Sequence, residues 1–139
     1  MKLTDHFSLA ELTVTSQPLP NIPNDEQIEN LKVLATEILE PLRIKFGKPI
    51  KVNSGFRSDA VNKAIGGSKT SQHCKGQASD LNCDDNALLF GIIRKNFKFT
   101  QLIWEGGNSQ QPKWVHVGYD KNNLKCEVLR MSNGKYTKM

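Results

Sequence analysis

The sequence predicts an α+β domain with an antiparallel-rich sheet and helices packed on it. Three observations carry this: helical periodicity fills the first half, short alternating strand patterns gather in the second, and no repeat organises the whole. With 139 residues, 37% hydrophobic and 24% charged, residues 1–139 suit a single folded domain. A chain of this length buries roughly two-thirds of its unfolded surface.

The elements follow in order. Ser8 and Glu11 form an S-x-x-E capping box for a short N-terminal helix, with Phe7 and Leu12 at the staple positions around it. Three prolines keep TSQPLPNIPND extended. Asn24 or Asp25 caps a longer helix in which Ile28, Leu31, Ala35, Ile38 and Leu42 recur at helical spacing, widened by Leu34 and Leu39. Pro41 lies inside this pattern and predicts a kink, and Gly47 ends it. PIKVNS (49–54) reads as a strand with Ile50 and Val52 inward. Ser58 then caps a helix that stops at Gly66 and Gly67. ASDLNC (78–83) is a strand, and Asp84 or Asp85 caps the helix NALLFGIIRKNF. FTQLIW (99–104) and WVHVGY (114–119) are strands around a glycine-containing loop. The tail predicts a small hairpin turning at Asn133-Gly134.

Composition narrows the function classes. No apolar run approaches the roughly 20 residues needed to cross a bilayer, so membrane insertion is not expected. MKLTDHFSLAELT lacks a signal peptide's apolar stretch, so a chain cytoplasmic as synthesised is expected. Three cysteines (Cys74, Cys83, Cys126) without a C-x-x-C argue against a disulfide framework. The net charge of +5 is spread without a basic run, so no nucleic-acid partner is expected, and an anionic cell wall is an alternative counterpart.

The chemistry concentrates in SQHCKGQASDLNC (71–83). On a helix, His73 and Asp80 would lie about 10 Å apart along the axis. Zinc ligands all lie within about 2.2 Å of the ion, so the pair can share a metal only if His73 sits on a turn and Asp80 on the next strand. Gly76 supplies that turn and Ala78 leaves room. In WVHVGY, alternation places Val115 and Val117 on one face and Trp114, His116 and Gly118 on the other. His73, Asp80 and His116 are therefore the candidate set for one zinc ion, open at a fourth position. Cys74 and Cys83 are nine residues apart, without the close pair of a thiolate site, and read as filler. GGSKT lacks the G-x-x-x-x-G-K of a phosphate loop. His6 reads as a surface histidine.

The run S71-x-H73-x-x-G76-x-A78-x-D80 with a downstream W114-x-H116 resembles the zinc D-Ala-D-Ala carboxypeptidase family, peptidase family M15. The resemblance extends to VNSGFRS, GGSKTSQH, QLIWE and the HFSLAELT opening, which look like the small phage- and bacteria-encoded branch. It implies zinc binding by His73, Asp80 and His116, a fold shared with hedgehog-type domains, and cleavage near D-amino acids in peptidoglycan stem peptides. The chain is expected to act as a monomer. Arg57 occupies the arginine position of the family's SGYRS, where a guanidinium can hold a carboxylate or oxyanion. Ser71 is expected to orient a ligand or substrate as a donor behind the metal site. Several branches place a carboxylate three residues before the final histidine, where this chain has Lys113. Glu105 is then the candidate general base, reaching His116 if the two flanking strands form a hairpin. The expected protein is a zinc metallopeptidase of cell-wall peptides, of phage endolysin type. The alternatives are an inactive zinc-binding wall or phage structural module, and a hydrolase of other D-peptides.

Overall fold

The computed structural model describes residues Met1–Met139. Six strands form one mixed sheet in the order β1-β2-β4-β3-β5-β6. They are β1 (Lys51–Ser54), β2 (Ala78–Asn82), β3 (Gln101–Glu105), β4 (Trp114–Gly118), β5 (Glu127–Ser132) and β6 (Lys135–Lys138). Every neighbouring pair is antiparallel except β3 and β5, which run parallel. The helices are α1 (Asp25–Leu34), α2 (Glu40–Phe46), α3 (Asp59–Ala64) and α4 (Asn86–Asn96).

Local chemistry accounts for most element ends. Ser8 Oγ accepts the Glu11 N–H and a Glu11 carboxylate oxygen accepts the Ser8 N–H, both at 3.2 Å, so the reciprocal box forms. It opens only a single 3₁₀ turn, Glu11–Thr13, because the β-branched Thr13, Val14 and Thr15 disfavour continuing a helix. The staple residues Phe7 and Leu12 are both buried. Asn24, rather than Asp25, caps α1, in a box with Gln27, and Asp85, rather than Asp84, caps α4. Pro41 has no N–H for the carbonyl of Glu37 and its ring crowds that carbonyl. The chain widens into a π segment, Ala35–Leu39, immediately upstream, which is the form the predicted kink takes. Gly47, at φ 76°, closes α2.

Strand alternation gives the sheet two different faces. Val52, Leu81, Leu102, Trp104, Val115 and Val117 join the helical Leu31, Leu34, Ile38, Leu42, Leu89 and Ile93 in one hydrophobic core. Phe90 of α4 meets Trp104 edge-on at 5.3 Å between ring centroids. The tail hairpin turns through Asn133 (φ 52°) and Gly134 (φ 77°), as a two-residue I′ turn requires. It also does more than the tail pattern predicts, because β5 docks along β3 and makes the hairpin part of the main sheet.

Candidate metal centre

The face of the sheet turned away from the core carries the polar groups. Register aligns Ser54, Asp80, His116 and Ile103 in one row across β1, β2, β4 and β3. His73 reaches this row from a separate 3₁₀ turn, Gln72–Lys75. Ser71 opens the turn: its Oγ accepts the His73 N–H at 3.2 Å, so it orients the histidine as an acceptor. Gly76 closes the turn at φ 73°, and a Cβ there would lie 2.6 Å from the Gln27 carbonyl oxygen. Two side chains of α1 clamp the turn from behind. Gln27 Nε2 donates to the Cys74 carbonyl at 3.0 Å and Asn30 Nδ2 to the Lys75 carbonyl at 2.9 Å.

The ring nitrogens are assigned by their partners. His73 Nδ1 lies 2.7 Å from the Gly55 carbonyl oxygen, which can only accept, so Nδ1 carries the hydrogen and the Nε2 lone pair is free. Gly55 must be glycine because a Cβ there would approach the Leu12 carbonyl oxygen to 2.5 Å. The N-terminal turn thereby fixes the carbonyl that orients His73. His73 Nε2 is 3.4 Å and His116 Nδ1 is 3.1 Å from the same oxygen, Asp80 Oδ1. The other oxygen, Oδ2, accepts from Arg57 Nη2 at 3.1 Å, and Arg57 Nε donates to Ser54 Oγ at 3.0 Å.

The three candidate ligand atoms lie within 4.8 Å of one another, and all three residues are buried. Two imidazole nitrogens and one carboxylate oxygen form the donor set of an open zinc site, and the residues present fit such an ion. Burial alone would push the Asp80 carboxyl up, but the imidazoles of His73 and His116 packed against it outweigh that. Asp80 is thus held well below the usual carboxylate range and stays ionised.

Glu105 stands on the same face, one pair along β3 from Ile103, so it sits diagonal to His116. It is 7% exposed. Burial raises its pKa above the ordinary value of 4.5; nearby Asp80 adds to the rise, while His116 and Arg57 oppose it. Its strand is held by the loop to β4, which α4 pins in place. Asn86 Nδ2 donates to the carbonyls of Pro112 and Lys113, and the Ala87 N–H donates to Gln111 Oε1. Nothing in the sequence marks Asn86 or Gln27 for these duties, since both act on carbonyls remote in the chain.

An open cleft of about 1030 Å³ contains Arg57, Ser71, His73, Asp80, Glu105 and His116. The structure therefore brings together the six residues proposed from the sequence for the site. A smaller groove beside Pro41 and Ile44 holds none of them. The cysteines are free and outside the ligand group. His6 is taken by Glu40, with its Nδ1 2.6 Å from Oε2. No helix is long and apolar enough to cross a membrane.

Comparison with known proteins agrees with this centre. A family model described as Peptidase M15 matches residues 5–118. A zinc D-Ala-D-Ala carboxypeptidase of Streptomyces albus G is 36% identical over 70 residues, covering 49% of this chain and 28% of that protein. The chain thus spans little more than a quarter of that relative's length.

Proposed function

The chain belongs to peptidase family M15, and from that premise we propose that it is a zinc metallopeptidase hydrolysing peptidoglycan stem peptides near their D-amino acids. The observation that carries this reading is the convergence of His73 Nε2, Asp80 Oδ1 and His116 Nδ1 in a cleft that also holds a buried carboxylate, Glu105. His73, Asp80 and His116 would hold one zinc ion. When bound, zinc supplies Lewis acidity, polarising a scissile carbonyl and making water a better nucleophile.

The chain's own groups account for the proton movements. Glu105 accepts a proton from the attacking water as the new C–O bond forms. It returns that proton to the leaving nitrogen as the C–N bond breaks. Arg57 keeps Asp80 aligned through Oδ2 and retains further N–H donors for developing negative charge. Ser71 acts one step back, holding the His73 turn.

The setting we propose is muralytic, of phage endolysin type, with the protein acting on the wall after release or virion delivery. Lys113 supports a second reading, an inactive zinc-binding module, because it stands where several branches of the family carry a carboxylate. Purified peptidoglycan separates the two. The protein with one zinc per chain should release peptide fragments identifiable by mass spectrometry, and a chelator should stop the release. A zinc-loaded protein that binds walls but releases nothing would establish the module instead.

A further inference from the structure

We propose that Asn21, in the proline-rich segment before α1, is a positioning residue for the metal centre: its amide fixes both peptide groups that flank Arg57 and so aims the guanidinium at Asp80. This rests on the zinc-peptidase reading above and extends the site to a segment that does not line the cleft.

Both N–H groups and the oxygen of this amide are engaged. Asn21 Nδ2 donates to the Thr13 carbonyl at 2.8 Å and to the Phe56 carbonyl at 2.9 Å, and Oδ1 accepts the Ser58 N–H at 2.7 Å. Two carbonyls at one end and an N–H at the other assign the nitrogen, because the reverse orientation would set oxygen against oxygen. Phe56 and Ser58 are the immediate neighbours of Arg57, so one side chain grips the peptide on each side of it. The Arg57 N–H donates to the His73 carbonyl at 3.0 Å, which completes the hold on the first of these peptides.

Peptide groups are planar, so fixing both of them fixes φ and ψ of Arg57 and the direction in which its side chain leaves the backbone. From there Nε reaches Ser54 Oγ at 3.0 Å and Nη2 reaches Asp80 Oδ2 at 3.1 Å. The guanidinium is a rigid fork, and a tilted backbone cannot keep both bonds. The segment that carries Asn21 is itself braced. Pro20 and Pro23 restrict its backbone, and Ser58 Oγ donates to the Pro20 carbonyl at 2.8 Å. The Leu12 carbonyl of the N-terminal turn accepts the Phe56 N–H at 2.7 Å, beside the Thr13 bond of the amide. An alanine at position 21 would release three backbone groups at once, and the Arg57 turn with them.

The test measures zinc affinity by chelator competition on the full chain, for wild type, Asn21→Ala, Arg57→Ala and the double variant. Arg57→Ala should weaken binding, and Asn21→Ala should weaken it about tenfold. In the Arg57→Ala background the Asn21 substitution should cost no more than about twofold, because the group it positions is gone. Val117→Ala, a core truncation that touches none of these bonds, should keep wild-type affinity, so lost stability by itself cannot produce the effect. Asn21→Ser leaves a small polar group in place and repeats the comparison in a milder variant. Wild-type affinity in both Asn21 variants or in Arg57→Ala, or an equal loss with and without Arg57, overturns the positioning role and leaves the zinc reading intact. A wild type that binds no zinc removes both.

Discussion

The two faces of β4 serve different ends. Val115 and Val117 point into the core and are wholly buried among helical side chains. Trp114 and His116, each one residue away, point into the cleft. The valine face is held by non-directional burial, for which volume matters most. The histidine face depends on individual hydrogen bonds that set ring orientation, as the Gly55 carbonyl does for His73. The difference teaches that one strand can spend its stability on one face to hold chemistry rigid on the other.

The largest expected break in that division is Asp80→Ala. It removes a proposed metal ligand and leaves the largely buried Arg57 without its partner at 3.1 Å. Zinc content should fall to background, and denaturant unfolding should show a loss of about 3–5 kcal/mol. A variant that retains both stoichiometric zinc and full stability would contradict the ligand assignment.

Glu105→Gln tests the same face without touching the ligands. Turnover should drop about 10²–10⁴-fold while metal analysis still finds one zinc; undiminished turnover would remove Glu105 from its role. Arg57→Lys comes next. A lysine cannot bond Asp80 and Ser54 together in the guanidinium's fixed geometry, so zinc affinity or activity should fall about 10–100-fold. An unchanged affinity and rate would mean that Asp80 needs no such anchor.

Val117→Ala probes the other face, and should lower the unfolding free energy by about 1–2 kcal/mol with zinc stoichiometry unchanged. Loss of zinc in the folded variant would show that the two faces are not separable. The smallest effect is a pH dependence. Glu105's folded pKa is raised, so the folded state holds a proton that the unfolded state has already released. Its stabilising contribution is present below the ordinary value of 4.5 and is lost as pH rises through the folded value. Metal-free Glu105→Gln should therefore melt slightly higher than wild type at neutral pH, with the gap closing in acid. A gap that widens in acid would reverse the sign of this coupling.

Much of this division is already legible in the chain. The period of two in WVHVGY separates His116 from the valines, and the period near 3.6 from Ile28 to Leu42 marks the helical core stripe. The spacing of His73, Gly76 and Asp80 demands a turn followed by a strand. Caps were legible only to within a choice, as between Asp84 and Asp85, because adjacent residues offer the same side-chain oxygen. The N-terminal box predicts a helix but supports one 3₁₀ turn. Pro41 marked a kink, though not the π segment that absorbs it.

By itself, then, the sequence determined the α+β class, the positions of the strands and of most helices, and the residues that share the polar face of the sheet. These depend on periodicity and short-range steric preferences, which a window of a few residues contains. Only the tertiary structure decided that β5 lies parallel to β3 and brings Met131 and Tyr136 alongside Glu105. It also decided that α1 clamps the His73 turn and that the Gly55 carbonyl selects its tautomer. Those arrangements join groups 18 to 47 residues apart. Such contacts follow from packing the whole core, and no local pattern encodes them.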